Sequence, residues 1–233
     1  MKLSRRLQTV ASFVSPGSRI VDVGTDHGYI PIYLVQNAAA VHAIAMDIKK
    51  GPLDRAKAHI AQFHLEEQIE TRLSDGLKEL KPGEGDTVIL AGMGGALTVR
   101  ILQEGHLALN QIKEIILSPQ SELDRVRKFL QANGFVIVKE SMVCEENKYY
   151  TVMKAVKGNM NYRRYIDFKY GKLLLEEKNS VLREFLRKER KKLEEVKCAL
   201  QNKNTEAAQR RLGELEKELF AVMEAEYEMS GNY

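Results

Sequence analysis

Cysteine is scarce. Cys144 and Cys198 are the only two in 233 residues, they lie far apart, and neither belongs to a Cys-x-x-Cys pair. That excludes a disulfide framework and a cysteine-built zinc site, and no metal is expected. Long apolar runs are missing too. No stretch reaches eighteen apolar residues, so no membrane partner is expected. The opening Met1-Lys2-Leu3-Ser4-Arg5-Arg6 has no signal-peptide apolar core behind it. With reduced thiols, this makes a cytoplasmic location the expectation. A strong excess of one charge is also absent. The net charge of +4 permits a nucleic-acid partner without demanding one. What is present is a composition 44% hydrophobic and 29% charged, as in globular chains. The length suits one domain of ordinary size plus an appendage, and a monomer is expected rather than an oligomer.

The chain is organised around Ile20-Val21-Asp22-Val23-Gly24-Thr25-Asp26-His27-Gly28-Tyr29-Ile30-Pro31. Ile20, Val21 and Val23 form a β-branched run of the kind buried in a parallel sheet. Gly24 and Gly28 let the backbone turn and approach a ligand closely. Pro31 suits the first turn of a helix, where its missing N–H costs nothing. A strand, a glycine turn and a helix N-terminus together make a site for a polar ligand. A dinucleotide fold wants Gly-x-Gly-x-x-Gly. Here the glycines are four apart with no third in phase, and Asp22 inside the strand is atypical. The pattern is closer to the S-adenosylmethionine loop of class I methyltransferases.

The remaining pattern alternates. Leu3 to Val14 reads as an amphipathic helix with Leu3, Leu7, Val10, Ala11 and Val14 on one face, broken at Ser15-Pro16-Gly17. Further strands are expected at Val41–Met46, Ile69–Leu73, Asp86–Ala91 and Glu114–Leu117, with helices between them from Gly51 to about His64 and after Gly95 to about Glu104. Ser121 is expected to cap the next helix with Asp124 as its capping-box partner, and Asn133-Gly134 to close it. Phe135–Val143 and Tyr149–Val156 form an expected hairpin. The fold class is therefore α/β: a doubly wound Rossmann-like sheet with an antiparallel last strand, of class I methyltransferase type.

Near Lys157-Gly158-Asn159 the strand pattern ends. This sets expected domains at 1–157 and 158–233, the second an α-helical antiparallel coiled coil. Helices are expected at about Tyr162–Glu177, Val181–Gln201 and Thr205–Glu226, with a break near Asn179 and a turn at Asn202–Asn204. Leu182, Phe185, Leu186, Leu193, Val196 and Leu200 can face Leu212, Leu215, Leu219 and Val222.

Such sheets bind ligands at the carboxyl ends of their strands, where Asp47, Asp75 and Gly92-Met93-Gly94-Gly95 fall. Asp47, followed by Ile48, is suited to the two ribose hydroxyls of an adenosine, because a carboxylate has two acceptor oxygens. Asp75, before Gly76, is placed for the adenine amino group. Asp22 and the backbone of Gly24 would bracket a methionine moiety, with Gly28 completing the turn. Asp26 and His27 face the substrate side, Asp26 as an orienting group. The glycines at 92, 94 and 95 leave room for a planar base where amino-group methyltransferases carry Asn-Pro-Pro-Tyr, a motif absent here. Lys148, Tyr149 and Tyr150 could stack on a base and hold a phosphate. Arg5 and Arg6 lie off the apolar face of the first helix, either as solvated helix charge or in contact with phosphate. Between Arg183 and Lys197 there are seven basic and four acidic residues, including Arg187, Lys191 and Lys192, a face either solvated or gripping RNA.

On Leu3-Ser4-Arg5-Arg6-Leu7, the Asp22–Pro31 run, Asp47-Ile48, Ser74-Asp75-Gly76-Leu77, Gly92-Met93-Gly94-Gly95, Ser118-Pro119-Gln120 and Asn147-Lys148-Tyr149-Tyr150, the chain resembles the TrmK family of bacterial tRNA (adenine-22 N1)-methyltransferases. The resemblance implies S-adenosyl-L-methionine as methyl donor, S-adenosyl-L-homocysteine as product, and adenine N1 of tRNA as acceptor. It points to Asp26 and the backbone at Gly92 and Met93 as the groups nearest the chemistry. A noncatalytic S-adenosylmethionine-binding protein and a small-molecule methyltransferase are the competing classes; the terminal helix pair disfavours the second.

Overall fold

The computed structural model describes residues 1–201 and 205–231, and the turn expected at Asn202–Asn204 lies outside them. The described chain divides into two compact units, Met1–Asn161 and Tyr162–Tyr233.

In the first unit, α1 (Arg5–Ala11) is followed by β1 (Ser18–Val23), α2 (Tyr29–Gln36), β2 (Ala40–Asp47), α3 (Lys50–Gln62) and β3 (Ile69–Leu73). Next come β4 (Thr87–Ala91), α4 (Gly95–Glu104), the short α5 (His106–Leu109), β5 (Glu114–Ser118) and α6 (Leu123–Ala132). β6 (Phe135–Glu145) and β7 (Lys148–Lys157) close the unit. The seven strands take the order β3-β2-β1-β4-β5-β7-β6. β1 to β5 pair in parallel, and β7 inserts antiparallel between β5 and β6. The order reverses between β1 and β4, so the crevice that such sheets offer a ligand opens above those two strands.

The buried β-branched run did set the sheet. Asp22 lies opposite Ala45 of β2 and Ile89 of β4, flanked by the fully buried Val21 and the buried Val23. Val10, Phe13, Ile32, Leu34, Ala56 and Ile60 pack with Ile20, Ala43 and Ile89 in one core cluster. The hairpin of β6 and β7 turns through Glu146 and Asn147, both left-handed, as a two-residue loop needs to match strand twist.

The first helix is shorter than its apolar periodicity suggests. The Ser4 hydroxyl caps it by accepting from the Leu7 N–H, and it ends at Ala11 although Phe13 and Val14 remain buried. A second correction concerns α6. Its N-cap is Glu122, in a left-handed conformation, and not Ser121. The Glu122 carboxylate instead accepts from the Ala96 N–H at the head of α4 and pairs with Arg125, tying the two helices together. Asp124 pairs forward with Lys128.

In the second unit, the single helix expected from Tyr162 is broken into a π-helical turn, Asp167–Gly171, and α7 (Lys172–Glu176). The Asp167 carboxylate accepts from the Arg164 N–H at 3.2 Å and pairs with the Arg164 guanidinium, and Gly171 has φ +99°. Asn179 then caps α8 (Ser180–Gln201) by accepting from the N–H groups of Val181 and Leu182. Thr205 caps α9 (Glu206–Ser230), which runs past Glu226 to a left-handed Gly231. The two helices are antiparallel: Arg190 pairs with Glu226 at 3.1 Å and Lys197 with Glu216 at 3.2 Å. Leu182, Leu186 and Leu193 are buried with Leu215 and Val222 as the stripes require, while Val196 stays exposed and Ala225 and Met229 join the core.

Candidate functional site

Two recesses open at the carboxyl ends of the strands. The first, about 240 Å³, lies over β1, β2, β3 and β4 and is lined by Gly24, Asp47, Ile48, Asp75, Gly76, Gly92 and Met93. Asp47 ends β2, and one of its oxygens accepts from the Lys49 N–H at 2.7 Å, which fixes the carboxylate while leaving its other oxygen for a ligand. Ile48 is 59% exposed at the mouth, an apolar surface with nothing yet upon it. Asp75 is tethered by Lys78 at 2.6 Å and Arg100 at 3.1 Å. The Lys78 ammonium first, with Arg100, holds its carboxyl below the usual range, so it is an acceptor at neutral pH.

The second recess, also about 240 Å³, is lined by Arg6, Asp22, Gly24, Asp26, His27, Tyr29 and Ala91. Gly24 belongs to both. Its φ is +81°, and a Cβ there would come within 2.9 Å of the Met93 methyl. Gly92, at φ +92°, could not carry a side chain without crowding the Arg6 guanidinium, 3.3 Å away. The missing side chains thus let Met93 and Arg6 pack directly against the backbone at the two recesses.

Asp22 is only 6% exposed, and burial pushes its carboxyl up to about 6. Thr25 opposes that shift and the Asp47 carboxylate adds to it. Among the described residues no basic side chain pairs with Asp22, so a cationic ligand is what its ionised form lacks. Asp26 differs. It is exposed, paired with the Arg55 guanidinium, and 3.2 Å from His27 Nε2. The hydrogen bond from Arg55 above all holds its carboxyl low.

Other expected residues are distributed unevenly. Arg6 stands with its guanidinium 5.2 Å from the Tyr150 ring centre, and its Nη1 is buried with no hydrogen-bond acceptor among the described residues. It is a wall of the second recess rather than a solvated helix charge. Arg5 is exposed, and its backbone N–H binds Glu145 at 2.6 Å, fastening α1 to the hairpin tip. Lys148 is exposed at the start of β7; strand alternation puts Tyr149 on the face opposite Tyr150. The Met93 carbonyl accepts from the Gln120 N–H at 2.9 Å. The Gly92 carbonyl has no such partner among the described residues, so it is the freer acceptor of the two. Arg187, Lys191 and Lys192 lie exposed on α8, in the other unit.

Sequence reasoning missed Leu97 and Arg100, which line the first recess from α4, and Arg55 and Tyr29. Leu97, Arg100 and Ile101 repeat at helical spacing just after the glycine turn, a signal that could have found them. Nothing local marks Arg55, which reaches across 29 residues to Asp26.

The residues fit S-adenosyl-L-methionine. A free carboxylate oxygen suits a ribose, exposed Ile48 suits a purine face, and the unpartnered Asp22 suits a cationic amino-acid chain. Sheet order and the paired recesses at the strand ends define the class, a Rossmann-like methyltransferase. A family model described as a methyltransferase domain matches residues 3–153. The chain is 38% identical over 159 residues to the tRNA (adenine(22)-N(1))-methyltransferase of Bacillus subtilis, covering 68% of this chain and 67% of that one. The crystal structure of the B. subtilis m1A22 tRNA methyltransferase TrmK superposes with a TM-score of 0.87 at 32% identity, covering 97% of this chain and 99% of that one. The structure of M. capricolum TrmK with its cofactor product S-adenosyl-homocysteine superposes at 0.80 and 29% identity, covering 95% and 100%. The chain belongs to the TrmK methyltransferase family.

Proposed function

We propose that the protein transfers a methyl group from S-adenosyl-L-methionine to N1 of adenine 22 in tRNA. The observation that carries this reading is the pair of recesses that share Gly24 and Ala91 in their linings, one suited to an adenosine and the other open for a base. Bound S-adenosyl-L-methionine supplies an electrophilic methyl on a sulfonium. Asp47 holds the ribose, Ile48 and Leu97 flank the adenine, Asp75 and Gly76 form its edge, and Asp22 with Gly24 and Gly28 takes the amino-acid end. Arg6 offers its buried N–H to an anionic or carbonyl group of either ligand.

Neutral adenine N1 has a free lone pair, so no side chain need remove a proton before attack. Positioning then supplies much of the acceleration. The methylated ring becomes cationic, and an acceptor near N6 stabilises charge as it grows. Asp26, kept ionised by Arg55, and the Gly92 carbonyl are suited to that, with Met93 shaping the turn. His27 and Tyr150 contact the base or its neighbours. Because N1 is on the pairing edge, the nucleotide must first leave its stack.

Residues 1–157 act as the methyltransferase domain and 158–233 as a helical domain that adds to tRNA binding through Arg187, Lys191 and Lys192, with Arg5, Lys148 and Tyr149 contacting RNA from the first domain. The protein works as a cytoplasmic monomer without a metal. Among the described residues no group of three or more His, Cys, Asp or Glu is placed to hold a metal ion. No described helix is long and apolar enough to cross a membrane. The test is methyl incorporation into two transcripts of one tRNA, carrying adenine or guanine at position 22. Incorporation into the first alone is expected; equal incorporation contradicts the reading.

A further inference from the structure

Beside the second recess stand three rings, and the proposed chemistry gives a task only to His27 among them. His27 and Tyr29 have ring centres 4.9 Å apart and planes 10° from parallel. His59, from α3, lies 5.4 Å from each, at 23° and 13°. The three rings are therefore near-parallel, although their residues come from two separate elements. His59 Nδ1 is 2.9 Å from the His27 carbonyl oxygen. A carbonyl only accepts, so Nδ1 donates, and that bond fixes the His59 ring against the turn. Tyr29 is 39% exposed, and His27 and His59 are half-buried. Rings packed for core stability would be covered; these three are all at least partly open to solvent. One helical turn before His59, the guanidinium of Arg55 pairs with Asp26.

A cluster of near-parallel, partly exposed rings beside an arginine is the chemistry of a nucleobase-stacking platform. We infer that His27, Tyr29 and His59 together receive the base of a nucleotide adjacent to the target adenine, which rests on the reading of tRNA as substrate. His27 and Tyr29 also line the recess that takes the target. A base lifted out of its stack leaves its neighbour with an uncovered face, and the platform covers that face. Stacking of this kind tolerates any base, because each has a π-face. The platform thus holds the strand open without reading its sequence.

His59 separates stacking from hydrogen bonding. In the full-length enzyme, His59→Phe keeps a ring but loses the bond to the His27 carbonyl, whereas His59→Asn keeps a donor but loses the ring. Stacking predicts that KM for tRNA rises about tenfold in His59→Asn and stays near the parental value in His59→Phe. Tyr29→Ala should behave like the former and Tyr29→Phe like the latter. S-adenosyl-L-methionine affinity, read by calorimetry, should hold in both His59 variants and report their folding. The second arm uses tRNA with an abasic site at position 21 or 23. The abasic loss at one of them should shrink severalfold in His59→Asn, because the same stacking cannot be lost twice. His59→Phe as impaired as His59→Asn, or abasic losses additive at both positions, overturns the platform. The parent enzyme's action on adenine 22 is scored separately, so a failed platform leaves the substrate reading standing. Parent enzyme inactive on that adenine overturns the substrate reading, and the platform with it.

Discussion

Asp22 shows how one side chain can be costly to the fold and useful to the site. Its carboxyl titrates near 6 in the folded chain, against an ordinary value of 3.8. The folded state therefore binds more protons than the unfolded one between those values. The contribution of Asp22 to stability is highest below about pH 4, falls as the pH rises towards 6, and stays at the lower level above it. The shift corresponds to roughly 3 kcal/mol at most. Asp22→Asn removes the buried charge, so its melting temperature at pH 7.5 should exceed the parent's, with a gain of about 1–3 kcal/mol. The same variant should bind S-adenosyl-L-methionine poorly, because the ligand's positive charge loses its partner. In the parent, affinity should decline as the pH drops below 6, and binding there should release protons. Calorimetry in buffers of different ionisation enthalpy reads that release; a pH-independent affinity from 5 to 7 would contradict the role. Asp47→Ala is expected to leave the fold intact and cost about 1.5–3 kcal/mol of cofactor affinity through lost charged hydrogen bonds. Unchanged affinity by titration would remove the ribose contact.

At the scale of the elements, legibility followed sequence distance. β1, β2, β4 and β5 are runs of buried apolar residues between turn residues, so composition alone located them. The Gly24 and Gly28 turn was equally plain, since both glycines are needed at positive φ. What could not be read depended on partners far along the chain. Ser121 and Asp124 matched a capping box, but Glu122 was drawn to α4 by the Ala96 N–H. Nothing in the local sequence marks Arg127 on α6 or Glu140 on β6. Both are fully buried, paired at 2.9 Å. Breaking such a pair leaves one charge uncompensated, so Arg127→Met should cost about 3–5 kcal/mol in denaturant unfolding. A double replacement by Met and Leu should recover much of that loss. If the single change costs under 1 kcal/mol, the pair does not hold the helix to the sheet edge.

The whole molecule joins a methyl-donor fold to a helical unit whose α8, of 22 residues, is about 33 Å long. Three of its seven cations pair with acids: Lys188 with Glu184, Arg190 with Glu194 and Glu226, Lys197 with Glu216. Arg187, Lys191 and Lys192 have no acidic partner among the described residues. Reversing these three charges should weaken tRNA binding and lower the slope of log affinity against log salt by up to about 3, leaving cofactor binding unchanged. An unaltered slope would make the helices a structural appendage. The central claim is the identity of the product. It is tested most directly by treating tRNA from a strain lacking the enzyme with the purified protein and S-adenosyl-L-methionine, then mapping the methylated nucleoside by mass spectrometry. The digest must be quick and free of alkali, because N1-methyladenosine rearranges to the N6 isomer. N1-methyladenosine at position 22 is the predicted result; N6-methyladenosine alone, or methylation at another position, would contradict it.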